Sequence, residues 1–173
     1  MLKKRCVKKI STDISVREYI PEDIEKMAEI WNEVVRSGVA FPQENELSAA
    51  EAAEFFGAQT LCGTAVLDGE IAGMYILHPN NVGRCGHICN ASYAVMSKCR
   101  GRGVGEALVR DCLKRAKDAG FEILQFNAVV ATNLAALKLY NKLGFKQLGK
   151  IEDGFRLPDG TRADIIPHVI ALR

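Results

Sequence analysis

The sequence predicts an α/β domain in which a mixed β-sheet of six to seven strands is flanked by about four helices. Apolar segments of strand length are interspersed with segments whose apolar residues recur every three or four positions, as on one face of a helix. The chain has 173 residues and is 48% apolar, which is enough to bury one sizeable core. No repeat, low-complexity tract or proline-rich linker divides it, so we treat residues 1–173 as one domain.

The first third of the chain predicts one strand and two helices. Residues 14–17 alternate apolar and polar side chains, as a half-buried strand does. Pro21 then opens a helix. Its apolar residues form one face: Ile24, Met27, Ile30, Trp31 and Val34. An exposed loop over 37–47 and a second helix over 48–59, capped by Ser48, complete this part.

The remainder of the chain predicts six further strands and two further helices. Asp68-Gly69 is a strong two-residue turn signal and joins the first two of these strands in a hairpin. The predicted strands cover 61–67, 71–77, 87–95, 121–130, 145–148 and 165–172. The helices run from Val104 to a stop at Gly120, and from an Asn133 cap to Leu143, closed by Gly144.

Charge and hydropathy exclude several classes of partner. The 23 basic and 21 acidic residues nearly balance, so nothing in the charge favours nucleic-acid binding. Apolar runs such as 128–131 are far shorter than the roughly 20 residues of a membrane span, so we expect no membrane partner. The basic start of the chain is followed by no apolar stretch, which predicts no secretory signal and a cytoplasmic location.

Six cysteines raise the questions of disulfides and of metal binding, and we expect neither. They are Cys6, Cys62, Cys85, Cys89, Cys99 and Cys112. In a cytoplasmic protein such thiols stay reduced, and several are expected to be small core residues. Cys85 and Cys89 flank His87, but no Cys-x-x-Cys and no second pair of ligands accompanies them. The sequence therefore predicts no metal site.

The most informative segment is the glycine-rich turn Arg100-Gly101-Arg102-Gly103-Val104-Gly105, between a predicted strand and a predicted helix. Glycines there let several backbone N–H groups converge at a helix N-terminus, which suits an anion such as a phosphate. No Gly-Lys-Ser/Thr follows, so this is not a Walker loop, and the spacing of a dinucleotide fingerprint is also missing. A tight turn without any ligand is the alternative.

Two motifs in order resemble the GCN5-related N-acetyltransferase (GNAT) family. The first is Arg100-x-x-Gly103-x-Gly105, which matches the family signature Arg/Gln-x-x-Gly-x-Gly/Ala after a strand. The second is the segment 133–145, in which an asparagine, a small residue and a tyrosine precede a Gly-Phe pair. The two cover about residues 93–146, and the flanking pattern fits nearly the whole chain.

The resemblance implies a largely antiparallel sheet whose central strands splay apart to admit acetyl-CoA. It places the pantetheine arm along Ala94 and Val95, and the pyrophosphate on residues 100–105. It implies that Asn133 and Ala136 contact the cofactor arm, and that Tyr140 is the general acid for the departing thiolate. A tyrosine pKa of about 10 is close enough to a thiol pKa of about 8.5 for that proton transfer. A helix cap and a buried aromatic remain the structural alternatives for Asn133 and Tyr140.

The general base is left open by the sequence. Many family members use a glutamate on a central strand, but the strand before the glycine turn carries no carboxylate. Glu122 and His87 are candidates, as are a backbone carbonyl and an ordered chain of water molecules.

Asn90 and Asn127 occupy the two central strands in place of an acid, and interior strand asparagines are disfavoured unless their amides are used. The surrounding segments 83–91 and 126–133 are similar to a yeast member of the family that acetylates azetidine-2-carboxylate, a toxic proline analogue. That similarity implies that both asparagines contact the acceptor. A strand bulge marked by asparagine is the alternative.

These observations lead to one main hypothesis and three alternatives. The main one is direct transfer of acetyl from acetyl-CoA to the amine of a small amino-acid-like or imino-acid metabolite in a ternary complex, without an acyl-cysteine intermediate. The alternatives are acetylation of protein N-termini, acetylation of protein lysines, and a silent acyl-CoA-binding module. Family members often dimerise, so a homodimer is expected as a possible state.

Overall fold

The computed structural model describes residues 13–172, which contain eight strands and four α-helices. The strands are β1 (Ile14–Glu18), β2 (Leu61–Leu67), β3 (Glu70–Pro79), β4 (Ile88–Val95), β5 (Ile123–Val130), β6 (Lys146–Gln147), β7 (Ile151–Arg156) and β8 (Arg162–Ala171). The helices are α1 (Ile24–Ser37), α2 (Ala49–Gly57), α3 (Val104–Asp118) and α4 (Leu134–Lys142).

The strands form one mixed sheet in the order β1-β2-β3-β4-β5-β8-β6, with β7 paired to β8. Every pairing is antiparallel except that of β4 with β5, which is parallel. The predicted mixed, largely antiparallel sheet with four helices is thus confirmed, and β5 is central as expected. The parallel pair lies where the chain crosses over through α3, as a parallel connection requires.

One strand, β7, was not predicted from the sequence. It reads Ile-Glu-Asp-Gly-Phe-Arg, and only Phe155 in it is buried, so it lacks the alternation of a half-buried strand. Its pairing with β8 is interrupted between Ile151 and Phe155, where Asp153 has a φ of +54°. The missed strand also means that β8 begins at Arg162, three residues before the predicted start.

The two faces of the sheet are covered by different helices. A Cβ on Gly73 of β3 would lie 3.0 Å from side-chain atoms of both Leu108 and Val104, so α3 packs closely on that face. Gly73 therefore permits an approach that a larger residue would block. The predicted buried stripe of α3 is confirmed, with Val104, Leu108, Cys112 and Ala116 all buried. The other face is covered by α1, α2 and the segment between them, centred on Trp31, which contacts three phenylalanine rings.

Helix ends follow the sequence signals. Ser48 and Glu51 form a capping box, since Glu51 N–H donates to Ser48 Oγ and Ser48 N–H donates to the Glu51 carboxylate. Gly38 has a φ of +61° at the end of α1, and a Cβ there would lie 2.2 Å from Cγ of Pro158. The tip of the β7–β8 hairpin is therefore seated directly on the segment that follows α1.

Asp23 connects β1 to the start of α1. Its carboxylate accepts hydrogen bonds from both terminal nitrogens of Arg17, at 2.5 and 2.9 Å, and from Ile20 N–H at 3.0 Å. Only 6% of the Asp23 side chain is exposed, against 41% of Arg17. The hydrogen bonds from Arg17 lower the pKa of Asp23 below its usual value and outweigh the effect of burial.

Within residues 13–172, no helix combines the length and the hydropathy that a membrane span needs.

We predict that Asp23→Asn lowers the free energy of unfolding by about 1–3 kcal/mol at pH 7, because an amide does not neutralise the Arg17 guanidinium. Urea unfolding measures the difference. A carboxyl group whose folded-state pKa is lowered stabilises the protein above its unfolded pKa of about 3.9, and this contribution is lost as the pH falls through the folded pKa. The gap between wild type and variant should therefore narrow as the pH falls below about 3.9.

The control is Glu29→Gln, which removes an exposed ion pair with Lys26 and should change stability by less than about 0.5 kcal/mol. Equal effects of the two substitutions would contradict the prediction.

Candidate active site

The pairing of β4 with β5 stops after two residue pairs. Ile88 pairs with Ile123 and Cys89 with Leu124, after which the two strands diverge although they continue to Val95 and Val130. The predicted splayed central strands are thus confirmed. The result is a V-shaped opening in the middle of the sheet, bounded by β4 on one side and β5 on the other.

Backbone groups of alternate β4 residues face this opening. Asn80 N–H donates to the carbonyl of Ile88, and Met96 N–H donates to that of Ala72, so the even-numbered residues of β4 bond to β3. The register between β3 and β4 is unbroken, so the N–H and C=O groups of Ala91, Tyr93 and Val95 point away from β3.

The predicted pantetheine contacts Ala94 and Val95 therefore differ in what they offer. Ala94 is buried, and its backbone N–H and C=O groups face Met74 of β3, with which they pair. Val95 directs its backbone groups into the opening, since it belongs to the odd-numbered set.

Asn90 occupies the position at which the strands part. Its Oδ1 accepts a hydrogen bond of 2.8 Å from the N–H of Ala91, the first β4 donor beyond the last pair with β5. The side chain thus satisfies a donor that the departure of β5 leaves unpaired. Its own backbone faces His78 of β3, which lies directly opposite in the register.

Asn127 lies at an irregularity of β5. Phe126 pairs with His168 and Val129 with Ile166, so two residues of β5 oppose Pro167 alone. This is a β-bulge, and it re-aims side chains at the edge of the opening. The alternative that an asparagine marks a bulge therefore describes Asn127 but not Asn90, whose pairing with β3 is regular.

Asn127 and Asn90 line the same cavity but are not hydrogen-bonded to each other. Asn127 instead exchanges two hydrogen bonds with Asn80, at 2.7 and 3.2 Å, and accepts a third from Gln125 at 3.0 Å.

A cavity of about 530 Å³ passes through the opening. On one side its walls include His78, Asn90 and Ser92, whose side chains share one face of the sheet. On the other side they include Tyr93, Asn133, Ala136 and Tyr140. The segment after α1, together with α2, adds an apolar wall comprising Ala40, Phe41, Pro42 and Phe55, with the amides of Gln43 and Gln59. The lining contains no aspartate, glutamate, lysine, arginine or cysteine among the described residues.

Tyr140 projects from α4 into this cavity against an aromatic cluster. Its ring centroid lies 4.5 Å from that of Phe126 and 5.3 Å from that of Phe145, which stack on each other at 4.8 Å. Burial raises the pKa of Tyr140 above its ordinary value of about 10, so the phenol is protonated at neutral pH. Within residues 13–172 its hydroxyl forms no hydrogen bond, although the ring is held on several sides.

Asn133 and Ala136 lie at the start of α4, and both line the cavity. The Oδ1 of Asn133 accepts a hydrogen bond of 3.2 Å from Ala136 N–H, which makes Asn133 the predicted helix cap. The capping role and a position in the cavity wall therefore coexist. The same helix ends where predicted, with Gly144 at a φ of +88°.

The glycine-rich turn leads into α3 beside the opening. Gly101 and Gly103 have φ values of +75° and +91°, which favour glycine, and Gly103 is the N-cap of α3. Val104 is 1% exposed and anchors the first turn in the core. A Cβ on Gly105 would lie 3.7 Å from Leu139 of α4 and 3.8 Å from Val95 of β4, so this turn sits between the two walls.

The two arginines of the turn differ in their surroundings. The guanidinium of Arg102 forms an ion pair of 2.6 Å with Asp68 in the β2–β3 turn. Arg100 is exposed and has no ion pair within the described residues. A phosphate at the turn would meet the full charge of Arg100, whereas that of Arg102 is shared with Asp68.

The two candidate bases taken from the sequence lie away from the cavity. Glu122 and His87 are exposed residues at the closed end of the strands, where Glu122 N–H donates to the carbonyl of His87. Neither lines the cavity. His78 does line it, although no motif in the sequence singles this residue out. The signal that could have found it is the hairpin register, which places His78 opposite Asn90.

The described cysteines are free thiols outside the cavity. Burial raises the pKa of Cys62, Cys89 and Cys112 to about 12, so these thiols are not activated nucleophiles. Cys99 is buried and Cys85 exposed, while Cys6 lies outside the described residues. Among residues 13–172, no three His, Cys, Asp or Glu side chains converge as a metal site would require.

Comparisons with known proteins agree with this architecture. The family model described as Acetyltransferase (GNAT) family matches residues 24–145. The chain is similar to the N-acetyltransferase aca1 of Schizosaccharomyces pombe, with 29% identity over 164 residues, covering 85% of this chain and 77% of that protein.

Two solved structures share the fold. A GCN5-related N-acetyltransferase from Kribbella flavida has 31% identity and a TM-score of 0.84, with 91% of this chain and 97% of that chain covered. A phosphinothricin acetyltransferase of Sinorhizobium meliloti, in complex with acetyl-CoA, has 22% identity and a TM-score of 0.84, with 91% and 88% covered.

The split sheet, the glycine turn and the family match together define the class of protein. The chain belongs to the GNAT family. It is an acetyl-CoA-dependent N-acetyltransferase, as the resemblance in its motifs predicts.

Proposed function

We propose that this enzyme transfers acetyl from acetyl-CoA directly to the amine of a small amino-acid-like or imino-acid metabolite. The observation that carries the proposal is the cavity of about 530 Å³ that crosses the split sheet, with polar amides and no charged side chain in its described walls. Such a cavity suits a compact acceptor whose polar groups are met by amides rather than by a counter-charge.

Two segments that are distant in the sequence meet beside the acceptor side of the cavity. Phe41 and Pro42 line it, and Pro158 of the β7–β8 hairpin packs on Gly38 just before them. An enzyme for lysine side chains or basic protein tails would gain from acidic groups at this mouth, and the described walls hold none. Protein N-terminal or lysine acetylation is therefore the weaker alternative.

We place acetyl-CoA in the V-shaped opening, with its pantetheine arm along β4 at Ala94 and Val95. The unpaired backbone groups of Val95 support this placement, because an extended arm can pair with them as a missing strand would. Asn133 and Ala136 would contact the arm from α4. Its pyrophosphate would lie on the glycine turn, at the N–H groups before and within the first turn of α3 and beside Arg100 and Arg102.

Tyr140 would protonate the sulfur of departing CoA. Its phenol is held protonated by burial and has no competing hydrogen bond within the described residues. The same apolar surroundings disfavour a free thiolate, so a proton donor at this point stabilises the departing group. The walls contain no cysteine, which favours transfer in a ternary complex over an acyl-enzyme intermediate.

Asn90 and Asn127 would bind the acceptor. The Oδ1 of Asn90 is occupied by Ala91 N–H, so its amide N–H groups are available to a ligand. Asn127 donates one of its two amide hydrogens to Asn80, which leaves the other available.

A silent acyl-CoA-binding module is the remaining alternative, because no carboxylate stands in the cavity walls. A homodimer, a cytoplasmic location, and the absence of a metal and of nucleic-acid or membrane partners stay predictions of the sequence.

The proposal predicts turnover with small amines. Purified protein and acetyl-CoA are incubated with a panel of amino acids, imino acids, polyamines and short peptides with free N-termini or lysines, and thiol release is measured. We expect release with at least one amino or imino acid, at a kcat/KM at least tenfold above that for any peptide. Preference for a peptide would support the alternative, and binding of acetyl-CoA without release for any amine would indicate a silent module.

We predict that Tyr140→Phe lowers kcat at least tenfold, because the departing thiolate loses its proton donor. The dissociation constant for acetyl-CoA should change less than about twofold, since the ring and its aromatic contacts remain. Calorimetry and steady-state thiol release separate the two quantities.

Tyr19→Phe removes a hydroxyl outside the cavity walls and is the matched control, with unchanged kcat. Parallel losses of acetyl-CoA affinity and of kcat in Tyr140→Phe would show that Tyr140 is structural.

We predict that Asn127→Ala raises the KM for the amine about tenfold or more, because a polar group of the acceptor loses its partner in the cavity. The KM for acetyl-CoA should stay within about twofold. Gln125→Ala is the control, since Gln125 donates to Asn127 but does not line the cavity. An unchanged amine KM in Asn127→Ala would remove Asn127 from the acceptor site.

A further inference from the structure

Acetylation of an amine requires a group that takes a proton from it. An alkyl ammonium with a pKa near 10 is neutral in only about one molecule per thousand at pH 7, so an unassisted reaction would be slow. The described cavity walls contain three ionisable side chains: His78, Tyr93 and Tyr140. Both tyrosines have raised pKa values because they are buried, so they are protonated at neutral pH and cannot accept a proton.

His78 is oriented to accept one. Its Nδ1 lies 2.9 Å from the carbonyl oxygen of Pro79. A carbonyl can only accept a hydrogen bond, so Nδ1 carries the hydrogen of the neutral ring and Nε2 carries the lone pair. The ring is half-buried, so it can face the cavity and still exchange protons with water.

The position of His78 in the sheet places it on the acceptor side. It lies opposite Asn90 in the β3–β4 register, and side chains of directly opposite residues share one face of the sheet. Ile76 and Ser92 form the next such pair, and all four line the cavity. Tyr140, the proposed acid, comes from α4 on the far side of the opening.

We propose that His78 is the general base, with Nε2 as the proton acceptor. The inference rests on the proposed N-acetyl transfer and adds to it the residue that activates the amine.

The ammonium nitrogen loses two protons in the course of the reaction. The bound ammonium gives one proton to Nε2, and the neutral nitrogen attacks the thioester carbonyl to form the N–C bond. Collapse of the tetrahedral intermediate breaks the C–S bond, and the sulfur takes a proton from Tyr140. The nitrogen then loses its second proton, which passes within the cavity to the Tyr140 phenolate and restores the phenol. His78 passes the first proton to water. One proton is released for each acetyl group transferred.

A second histidine, which is fully buried, does not meet these requirements. His168 is 1% exposed, its Nδ1 lies 2.7 Å from the carbonyl oxygen of Ile166, and its ring packs edge-on against Tyr140. Its Nε2 has no partner among the described residues, but the ring does not line the cavity. His168 can support Tyr140 but has no access to the acceptor amine.

The test is the pH dependence of kcat, which reports groups of the bound complex rather than the titration of the free amine. Wild type should show an acid limb, because protonation of the general base stops the reaction. His78→Gln should lose that limb and about 100-fold in kcat at pH 7, with an acetyl-CoA dissociation constant within twofold of wild type. His78→Ala should be rescued at least fivefold by added imidazole, which distinguishes a missing base from a damaged fold.

His87→Gln is the matched control and should retain both the limb and the rate, since His87 lies outside the cavity. Persistence of the limb in His78→Gln, a loss below threefold, or a wild-type profile without the limb would each overturn the assignment. The amine used is whichever member of the panel wild type acetylates. If none of them reacts, the proposed function fails separately, and the same variants are compared in acetyl-CoA hydrolysis, where His78 would deprotonate water.

Discussion

The limit on pairing between β4 and β5 is the constraint on which the rest of the site depends. Only two residue pairs join these strands, and both strands then continue for several residues without pairing to each other. In the middle of a sheet this leaves backbone donors and acceptors without partners, a costly arrangement unless other groups meet them. Asn90 meets one of them, and the remainder are directed into a space that an extended ligand can fill. The defect in the sheet is therefore also its binding site.

The packing around the opening keeps it from closing. The ring centroid of Phe126 lies 5.9 Å from that of Tyr93, in an edge-on contact, and 4.5 Å from that of Tyr140. Aromatic rings from β4, β5 and α4 therefore fill the space beside the opening. On the opposite side of β5, the bulge at Asn127 faces Pro167, which has no N–H to offer. Gly73 lets α3 approach the sheet closely. The N-terminus of α3 therefore lies beside Val95, at the end of β4. These contacts come from different elements, and together they keep β4 and β5 apart.

Most of the fold could be predicted from the sequence, because its signals are local. The Ser48 cap, the Asp68-Gly69 turn and the buried stripe of α3 depend on neighbours a few residues away. The polar strand β7 could not be predicted, because its extended conformation depends on pairing with β8 and not on a pattern of its own. In the site, motif spacing led to Tyr140 and Asn133, but His78 and Asn80 become visible only through strand register and loop placement.

The hydrogen bonds of two asparagines set the polarity of the cavity. The Oδ1 of Asn90 accepts a hydrogen bond from Ala91 N–H, and the Oδ1 of Asn133 accepts one from Ala136 N–H. Each of these oxygens therefore has one of its two lone pairs engaged, while the NH₂ group beside it stays available to whatever enters. An amide side chain can bind both donors and acceptors, and here the neighbouring backbone N–H shifts that balance towards ligand groups that accept hydrogen bonds. These two side chains thereby favour ligand groups rich in lone pairs, such as carbonyls and carboxylates, without carrying a positive charge.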